Sequence, residues 1–289
     1  MTHPAYLTEE AIRSFIRSAL IEDIGEGDHS ALGAIPENTI AKARLLIKDN
    51  GILAGIELAG KIFDEVSPFL QVEYFKKDGD QVIKGEVAFI VEGPARHILS
   101  AERLVLNCMQ RMSGIATYTN RLCKLIEGTT ARLMDTRKTT PNFRLMEKWA
   151  VLIGGGVNHR FALYSMVMLK DNHIDMAGGI KPAIDNTKQY LQQLNKKLRI
   201  EVETRSMKEV QQVLAIGGID IIMLDNMGLE EMTPTVKLID GKYETEASGG
   251  ITEATLREVA ECGVNYISVG ALTHSVRSLD LSLKVIKGQ

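Results

Sequence analysis

The sequence has few of the features that mark several large classes of protein. Its three cysteines, Cys108, Cys123 and Cys262, show neither the paired spacing of a disulfide framework nor that of a zinc motif. A net charge of −3 provides no overall basic field, which argues against nucleic acid and anionic membrane surfaces as main partners. No apolar run approaches the length of a membrane span, and the first residues lack a signal-peptide pattern. We therefore expect a cytoplasmic protein with free thiols.

The motifs of several enzyme classes are also missing. No histidine pair has the H-E-x-x-H spacing of a zinc hydrolase, and no G-x-S-x-G or cysteine–histidine pairing indicates covalent acyl chemistry. The isolated His173 and His274 are more typical of hydrogen-bonding scaffold residues than of catalysts. The distribution of charged residues along the chain is the more informative signal.

The distribution of apolar residues predicts two domains. The first hundred residues favour a helix followed by strands and turns, and a long helical pattern covers residues 95–127. Short apolar strands then alternate with helices, which is typical of a parallel sheet closed, or nearly closed, into a barrel. We expect an α+β domain over residues 1–112 and a β/α barrel over residues 113–275. A C-terminal helix over about residues 276–289 is expected to pack back on the first domain.

Polar residues end most of the predicted barrel strands. Because the carboxyl ends of parallel strands gather around one mouth of a barrel, these side chains are expected to surround one site. An unpaired buried charge would be costly at the ends of apolar strands, so the charged members need partners or a ligand. The strand ends are Asp135, Lys170, Glu203, Asp225, Ser248 and Gly270.

Cations are concentrated next to these strand ends. Arginine grips a carboxylate or phosphate with a fork of donors, and lysine supplies a compact charge. Such a cluster repels itself unless an anion occupies it, so the sequence predicts an anion site. Surface salt bridges are the structural alternative for two of its members, Arg137 and Arg160. The full cluster is Arg137, Lys138, His159, Arg160 and Lys170.

Two acidic strand ends and a glycine-rich turn indicate two further kinds of binding, of a cation and of a phosphate. Glu203 and Asp225 could hold Mg²⁺, directly or through its water, or stabilise a developing cation, and a structural ion pair is the alternative. Ser248–Gly249–Gly250 would let the backbone approach a phosphate, with the amides of the following helix as an anion seat. A tight strand-to-helix turn explains the same glycines.

Seven motifs, in order, resemble the quinolinate phosphoribosyltransferase family, the carboxylating nicotinate-nucleotide pyrophosphorylases. They are DTRKTTP, GGGVNHR, LKDNH, IEVET, MLDN, ASGGI and SVGALTHS, and the upstream IEDIGEGDHS and SAERLVLNCMQRMSGIAT fit the same family. The likeness therefore spans nearly the whole chain. It implies an N-terminal α+β sandwich-like domain and an incomplete β/α barrel, the type II phosphoribosyltransferase architecture, assembled as a homodimer or homohexamer.

The resemblance also implies a reaction, a pentosyl transfer in de novo NAD biosynthesis. Quinolinate and phosphoribosyl pyrophosphate would give nicotinate mononucleotide, pyrophosphate and CO₂. Mg²⁺ is the implied cofactor. No organic cofactor is expected, because the pyridinium formed on the ring nitrogen can itself accept the electrons left by the departing carboxylate.

Roles for individual residues follow from the resemblance. Arg103 would reach the active site of a neighbouring subunit, and Glu203 and Asp225 would lie near the ribose and Mg²⁺. The implied catalytic residues are Lys138, Lys170, Glu203 and Asp225. The implied quinolinate-binding residues are Arg103, Thr136, Arg137, Lys138, His159, Arg160 and Lys170. The implied phosphoribosyl-binding residues are Glu203, Asp225, Ser248, Gly249, Gly250, Ser268, Val269, Gly270 and His274.

Three positions depart from the family pattern. Asn142 stands where glycine is usual, and Ala162 and Ser165 stand where glycine and aspartate are usual, which concerns loop shape rather than chemistry.

Three other functions compete with quinolinate phosphoribosyl transfer. They are a related enzyme acting on another nitrogen heterocycle, a Schiff-base aldolase with Lys170 as nucleophile, and a non-enzymatic metabolite-binding protein.

Overall fold

The computed structural model describes residues 4–286, which form two compact units. The first unit contains the chain up to Asn120, Thr139–Gly155 and the chain from Ala271, and the second contains Arg121–Lys138 and Gly156–Gly270. These units combine separate segments of the chain, so they do not correspond to a single boundary after residue 112. That boundary stays a prediction. Within the described residues, no helix is both long enough and apolar enough to cross a membrane.

Helices and strands are numbered in chain order. The helices are α1 Glu9–Ile24, α2 His29–Ala34, α3 Ile56–Val66, α4 Ala95–Leu125, α5 Arg144–Ile153, α6 Asp171–Ala177, α7 Ile180–Gln193, α8 Met207–Ile216, α9 Leu229–Ile239, α10 Leu256–Glu261 and α11 Ala271–His274. The strands are β1 Ile40–Ile47, β2 Gly51–Ile52, β3 Gln71–Tyr74, β4 Gln81–Val82, β5 Val87–Pro94, β6 Arg132–Met134, β7 Val167–Leu169, β8 Ile200–Thr204, β9 Ile221–Asp225, β10 Glu244–Ser248, β11 Tyr266–Ser268 and β12 Leu281–Val285.

The first unit is built on an antiparallel sheet with the strand order β12-β1-β5-β3. Strand β1 buries alternate side chains, Ala43, Leu45 and Ile47, as expected for a strand with one face in a core. Phe63 of α3 and Phe89 of β5 are both fully buried, and their rings meet edge to face with centroids 5.7 Å apart. The expected N-terminal α+β domain is therefore confirmed.

The expected C-terminal helix is wrong over its described part. Residues 276–280 have no regular structure, and β12 pairs with β1 in antiparallel register, Leu283 opposite Leu45. Leu281 and Leu283 are buried while Ser282 between them is less so, which is the alternation of a strand. Pairing with a strand more than 230 residues earlier is a tertiary effect that local periodicity does not reveal. Residues 287–289 lie outside the described residues.

The second unit is a six-stranded parallel sheet with the order β6-β11-β10-β9-β8-β7. Every residue of β8 is buried, as in a strand covered on both faces. Strands β6 and β7 are the two edges of this sheet, and the described residues form no ladder between them. A single parallel bridge from Met134 to Val157 borders the gap. The prediction of an incomplete β/α barrel is confirmed.

Helix α4 runs without a break through Ser113–Gly114. The Ser113 hydroxyl accepts the N–H of Ala54 at 2.9 Å and donates to the Ala54 carbonyl at 3.1 Å. At Gly114 a Cβ atom would overlap the carbonyl of Arg277, so only glycine lets the two backbones come so close. The serine and glycine therefore serve packing against the helix and leave it unbroken.

Candidate active site

The strand registers of the second unit bring the predicted strand-end residues together. Leu169 pairs with Val202, so Lys170 and Glu203 follow at the same level of the sheet. Ser248 pairs with Asp225 on the next strands. The strand ends therefore form one continuous polar edge, as the sequence predicted, at the end of the sheet where barrel enzymes place their active sites.

Asp135 joins the two loops that carry most of the cations. Its buried carboxylate accepts the backbone N–H of His159 at 2.9 Å and the side-chain N–H of Asn158 at 2.6 Å. The loop after β6, with Thr136, Arg137 and Lys138, is thereby tied to the GGGVNHR segment. Because hydrogen bonds to an ionised carboxylate are strong, these two donors hold the Asn158–His159 segment against Asp135.

Arg137 and Arg160 lie close enough to influence each other. Burial lowers the pKa of the Arg160 guanidinium, and the positive charge of Arg137 lowers it further. One Arg160 nitrogen donates to the Met166 carbonyl at 3.1 Å, which holds the side chain in place. The two guanidiniums, with the exposed Lys138 next to Arg137 in the chain, form a cationic wall suited to a carboxylate or phosphate.

The imidazole of His159 faces the interior of the sheet, although its backbone lies at the polar edge. Its Nε2 is 2.9 Å from a carboxylate oxygen of Glu201 and 3.3 Å from one of Glu246, and all three side chains are buried. Its Nδ1 accepts the backbone N–H of Arg160 at 2.7 Å. The ring therefore anchors the segment that carries Arg160.

The proton balance of this buried cluster is unusual. Burial acts to lower the pKa of His159, but contact with Glu201 and Glu246 outweighs it and raises that pKa to about 9. Burial and the charge of Glu246 raise the pKa of Glu201 to about 7. The hydrogen bond from the Arg160 amide to Nδ1 directs the protonated Nε2 toward the two carboxylates. The three ligand atoms are close enough together for a metal ion, but the 2.9 Å approach of Nε2 to Glu201 is a hydrogen-bond distance.

Glu203 and Asp225 form an acidic pair on neighbouring strands. Burial raises the pKa of Glu203, the Asp171 amide and the Lys170 charge oppose this, and the charge of Asp225 adds to it. One Glu203 oxygen accepts the Asp171 N–H at 3.3 Å. The two adjacent carboxylates supply oxygen ligands of the kind that Mg²⁺ prefers.

The Ser248–Gly250 turn is shaped by its neighbour Asn226, in the left-handed region with φ of 52°. The Asn226 side chain donates to the Asp225 carboxylate at 2.7 Å, and its backbone N–H donates to the Ser248 carbonyl at 2.8 Å. Gly249 and Gly250 have φ of 91° and 60°, and a Cβ on Gly249 would overlap the Asn226 amide. The following helix, α10, begins at Leu256, and the anion seat expected at this turn and helix stays a prediction.

The other four predicted phosphoribosyl-binding residues end β11, follow it or belong to the first unit: Ser268, Val269, Gly270 and His274. Ser268 is buried, and the Val269 N–H already donates to the Met134 carbonyl at 3.0 Å. His274 ends α11 in the first unit, exposed, with Nδ1 2.6 Å from the Ser275 hydroxyl. Arg103, also in the first unit, is exposed on α4. Lys170 is exposed, and its N–H donates to Nδ1 of His173 at 3.0 Å.

Two of the three departures from the family pattern, Asn142 and Ser165, have structural explanations, and nothing in the structure explains Ala162. Asn142 has φ of 62°, a left-handed conformation that glycine adopts freely and asparagine tolerates better than most residues. The Ser165 hydroxyl accepts the Ala162 N–H at 3.1 Å and donates to the Ala162 carbonyl at 3.0 Å. The loop is thus closed by a local hydrogen-bonded turn.

Comparison with known proteins shows the family. The quinolinate phosphoribosyl transferase N-terminal domain matches residues 19–113 and the C-terminal domain matches residues 115–284. A chloroplastic nicotinate-nucleotide pyrophosphorylase [carboxylating] of Arabidopsis thaliana is 46% identical over 98% of this chain and 84% of its own length. A probable enzyme of the same name from Bacillus subtilis is 41% identical over 95% of this chain and 93% of its own. The solved structure of the nicotinate-nucleotide pyrophosphorylase from Francisella tularensis superposes with a TM-score of 0.88 at 37% identity, covering 96% of this chain and 97% of that one. The chain therefore belongs to the quinolinate phosphoribosyltransferase family.

Proposed function

We propose that this protein transfers phosphoribosyl from phosphoribosyl pyrophosphate to quinolinate with decarboxylation. The products are nicotinate mononucleotide, pyrophosphate and CO₂, in de novo NAD biosynthesis. The proposal is supported by family membership and, above all, by the cationic wall of Arg137 and Arg160 on the same polar edge as the Glu203–Asp225 acidic pair.

Quinolinate carries two adjacent carboxylates, which accounts for the number of cations. Arg137 and Arg160 grip the carboxylates, with Lys138 and Lys170 as further charges and the Thr136 hydroxyl as an added donor. His159 acts through its backbone and its buried ring, which hold Arg160 in place. Arg103 is assigned to the active site of a neighbouring subunit in a homodimer or homohexamer.

The phosphoribosyl half of the site is assigned to the acidic pair and two turns. Loss of pyrophosphate leaves positive charge on the ribose, which Glu203 and Asp225 stabilise. Their carboxylates also fit Mg²⁺, directly or through water, and the bound ion would neutralise charge on the departing pyrophosphate. The 5′-phosphate is assigned to Ser248–Gly250 and Ser268–Gly270, and His274 is assigned to phosphoribosyl binding by the family resemblance.

Decarboxylation then needs no organic cofactor. Attack of the quinolinate nitrogen on the ribose makes that nitrogen a pyridinium. The C–C bond to the adjacent carboxylate breaks, CO₂ leaves, and the ring carbon takes up a proton. Cations at the second carboxylate keep the ring oriented throughout. We place this reaction in the cytoplasm, whereas the Arabidopsis relative is named as chloroplastic.

One assay separates this function from its rivals. Purified protein is incubated with quinolinate, phosphoribosyl pyrophosphate and Mg²⁺, and release of CO₂ and nicotinate mononucleotide is measured. Ribosylation of nicotinate or another heterocycle without CO₂ release would contradict the proposal. So would binding of quinolinate with no consumption of phosphoribosyl pyrophosphate, or borohydride trapping of a carbonyl substrate on Lys170.

A mixing experiment tests the shared active site. Arg103→Ala and Lys138→Ala variants are each expected to be inactive, because each lacks one cation of every site. Mixed and allowed to exchange subunits, they should regain activity, since some sites then receive both cations. The measurement is product formation before and after exchange, verified with differently tagged subunits. Exchange without recovery would refute the contribution of Arg103 to a neighbouring subunit.

A further inference from the structure

Arg111 of α4 is the centre of a hydrogen-bond network in the first unit. Its Nε and one terminal nitrogen lie 3.1 and 2.9 Å from the same oxygen of Glu147 on α5. The other terminal nitrogen donates to the Val276 carbonyl at 3.1 Å, and the first also donates to the Thr273 carbonyl. One guanidinium thus links α4, α5 and the chain on either side of His274.

Glu147 extends the network to the loop that carries the cations. Its carboxylate is fully buried, and one oxygen accepts the Thr140 backbone N–H at 3.0 Å. Its other oxygen accepts the Thr140 hydroxyl at 2.9 Å and shares the Arg111 donors. Thr140 lies two residues after Lys138 in the chain. The loop from β6 is therefore fixed at its far end by the ion pair between the buried Glu147 and the partly exposed Arg111.

Stability alone is a poor explanation for this arrangement. The buried Glu147 carboxylate and the partly buried Arg111 side chain lose hydration, and apolar residues of similar volume often serve stability as well or better. What an ion pair supplies here is direction, because its remaining donors and acceptors go to loop backbone at Thr140, Thr273 and Val276. Thr273 directly precedes His274, and Thr140 lies two residues after Lys138. Both His274 and Lys138 are assigned to substrate binding.

We propose that Arg111 and Glu147 are positioning residues for the phosphoribosyl transfer. They hold the end of the loop that carries Arg137 and Lys138, and the chain on both sides of His274, without touching substrate themselves. This inference rests on the proposed function. Because misplacement of a binding group by about 1 Å can cost about 100-fold in rate, loosening this network is expected to affect catalysis before it affects folding.

The test compares Arg111→Lys with Arg96→Lys. Arg96 also lies on α4, and its guanidinium likewise donates to two backbone carbonyls, those of Ile35 and Leu32. Lysine keeps the charge but loses the fork of donors. We measure kcat, KM for each substrate, and thermal midpoint. Arg111→Lys should raise KM for quinolinate at least tenfold and lower kcat at an assay temperature well below its midpoint, while Arg96→Lys keeps both within twofold.

A gentler pair of variants covers the case in which Arg111→Lys does not fold. Thr140→Val removes only the hydroxyl that donates to Glu147, and Thr129→Val removes a hydroxyl that donates to the Ile126 carbonyl. Thr140→Val should raise KM for quinolinate severalfold and Thr129→Val should not. Equal kinetics within each pair, with an active wild type, would overturn the positioning role. An inactive wild type would instead refute the proposed function.

Discussion

Replacing Gly249 by alanine tests the link between the glycine turn and the acidic pair. An alanine at φ of 91° is strained by about 1–2 kcal/mol. Its Cβ would also overlap the side-chain amide of Asn226, whose nitrogen would lie 2.7 Å away, and such overpacking costs about 1–3 kcal/mol. Asn226 cannot turn aside freely, because it donates to Asp225 at 2.7 Å.

The neighbouring Gly250 provides a matched control. Its φ of 60° is also left-handed, but the nearest atom to a Cβ, the Asn226 oxygen, would be 3.9 Å away. Gly250→Ala should therefore lose only about 1 kcal/mol of the free energy of unfolding through strain, against about 3 kcal/mol for Gly249→Ala. In an Asn226→Gly background, where the overlapping amide is gone, Gly249→Ala should cost about as little as Gly250→Ala.

The assay combines urea unfolding with steady-state kinetics. Because displacement of Asn226 removes a donor from Asp225, Gly249→Ala should also raise KM for phosphoribosyl pyrophosphate and lower kcat at least tenfold, a larger effect than that of Gly250→Ala. The reasoning is refuted if the two alanine variants agree within about 0.5 kcal/mol, the usual range of neutral substitutions. It is also refuted if the Asn226→Gly background gives no recovery of stability.

Two further substitutions test the buried polar groups beneath the polar edge. Asp135→Asn leaves one donor facing another, so it should lower the free energy of unfolding by about 2 kcal/mol and raise KM for quinolinate, measured by urea unfolding and kinetics; unchanged KM would contradict the role of Asp135. Because the pKa of Glu201 is raised to about 7 in the folded protein, its protonated form stabilises the fold at low pH, and that stability is lost as the pH rises through 7. Between pH 5.5 and 8.5 the thermal midpoint of the wild type should therefore fall more than the thermal midpoint of Glu201→Gln. Equal falls would contradict the raised pKa of the Glu201 carboxyl.

The barrel and its polar edge could be predicted because their signals are local. Each parallel strand is a short apolar run with a polar residue at its end, and parallel packing brings those ends together whatever the loops do. Lys170, Glu203 and Asp225 were found in this way. The observed registers Leu169–Val202 and Asp225–Ser248 place them on adjoining strands.

The residues beneath the edge were missed, although a signal for them exists. Glu201 and Glu246 lie two residues before the strand ends Glu203 and Ser248. Side chains two apart on a strand point to the same side, so each acid lies one layer deeper beneath its strand-end residue. Their partner His159 comes from a loop, and no pattern within β8 or β10 indicates that a histidine meets them there.

Backbone conformation was predictable only as a departure from the family pattern. Asn142 stands where glycine is usual, and its φ of 62° gives the reason for that preference. The Arg111–Glu147 pair carried no such signal, since a charged residue on a helix is ordinarily solvated. The hydrogen bonds of this pair join chain segments that are far apart in sequence, so no local pattern indicates them.

The pairing of β12 with β1 also makes the last described strand a lock on the first sheet. Without Leu281–Val285, the backbone groups of β1 along Ala43–Ile47 would become an open edge, ready to pair with another chain. Leu45 and Ile47 would at the same time lose their covering neighbours Leu283 and Leu281. A shortened chain ending before residue 281 is thus a candidate for aggregation rather than a smaller enzyme, and a fused tag needs a linker that leaves this strand free to pair.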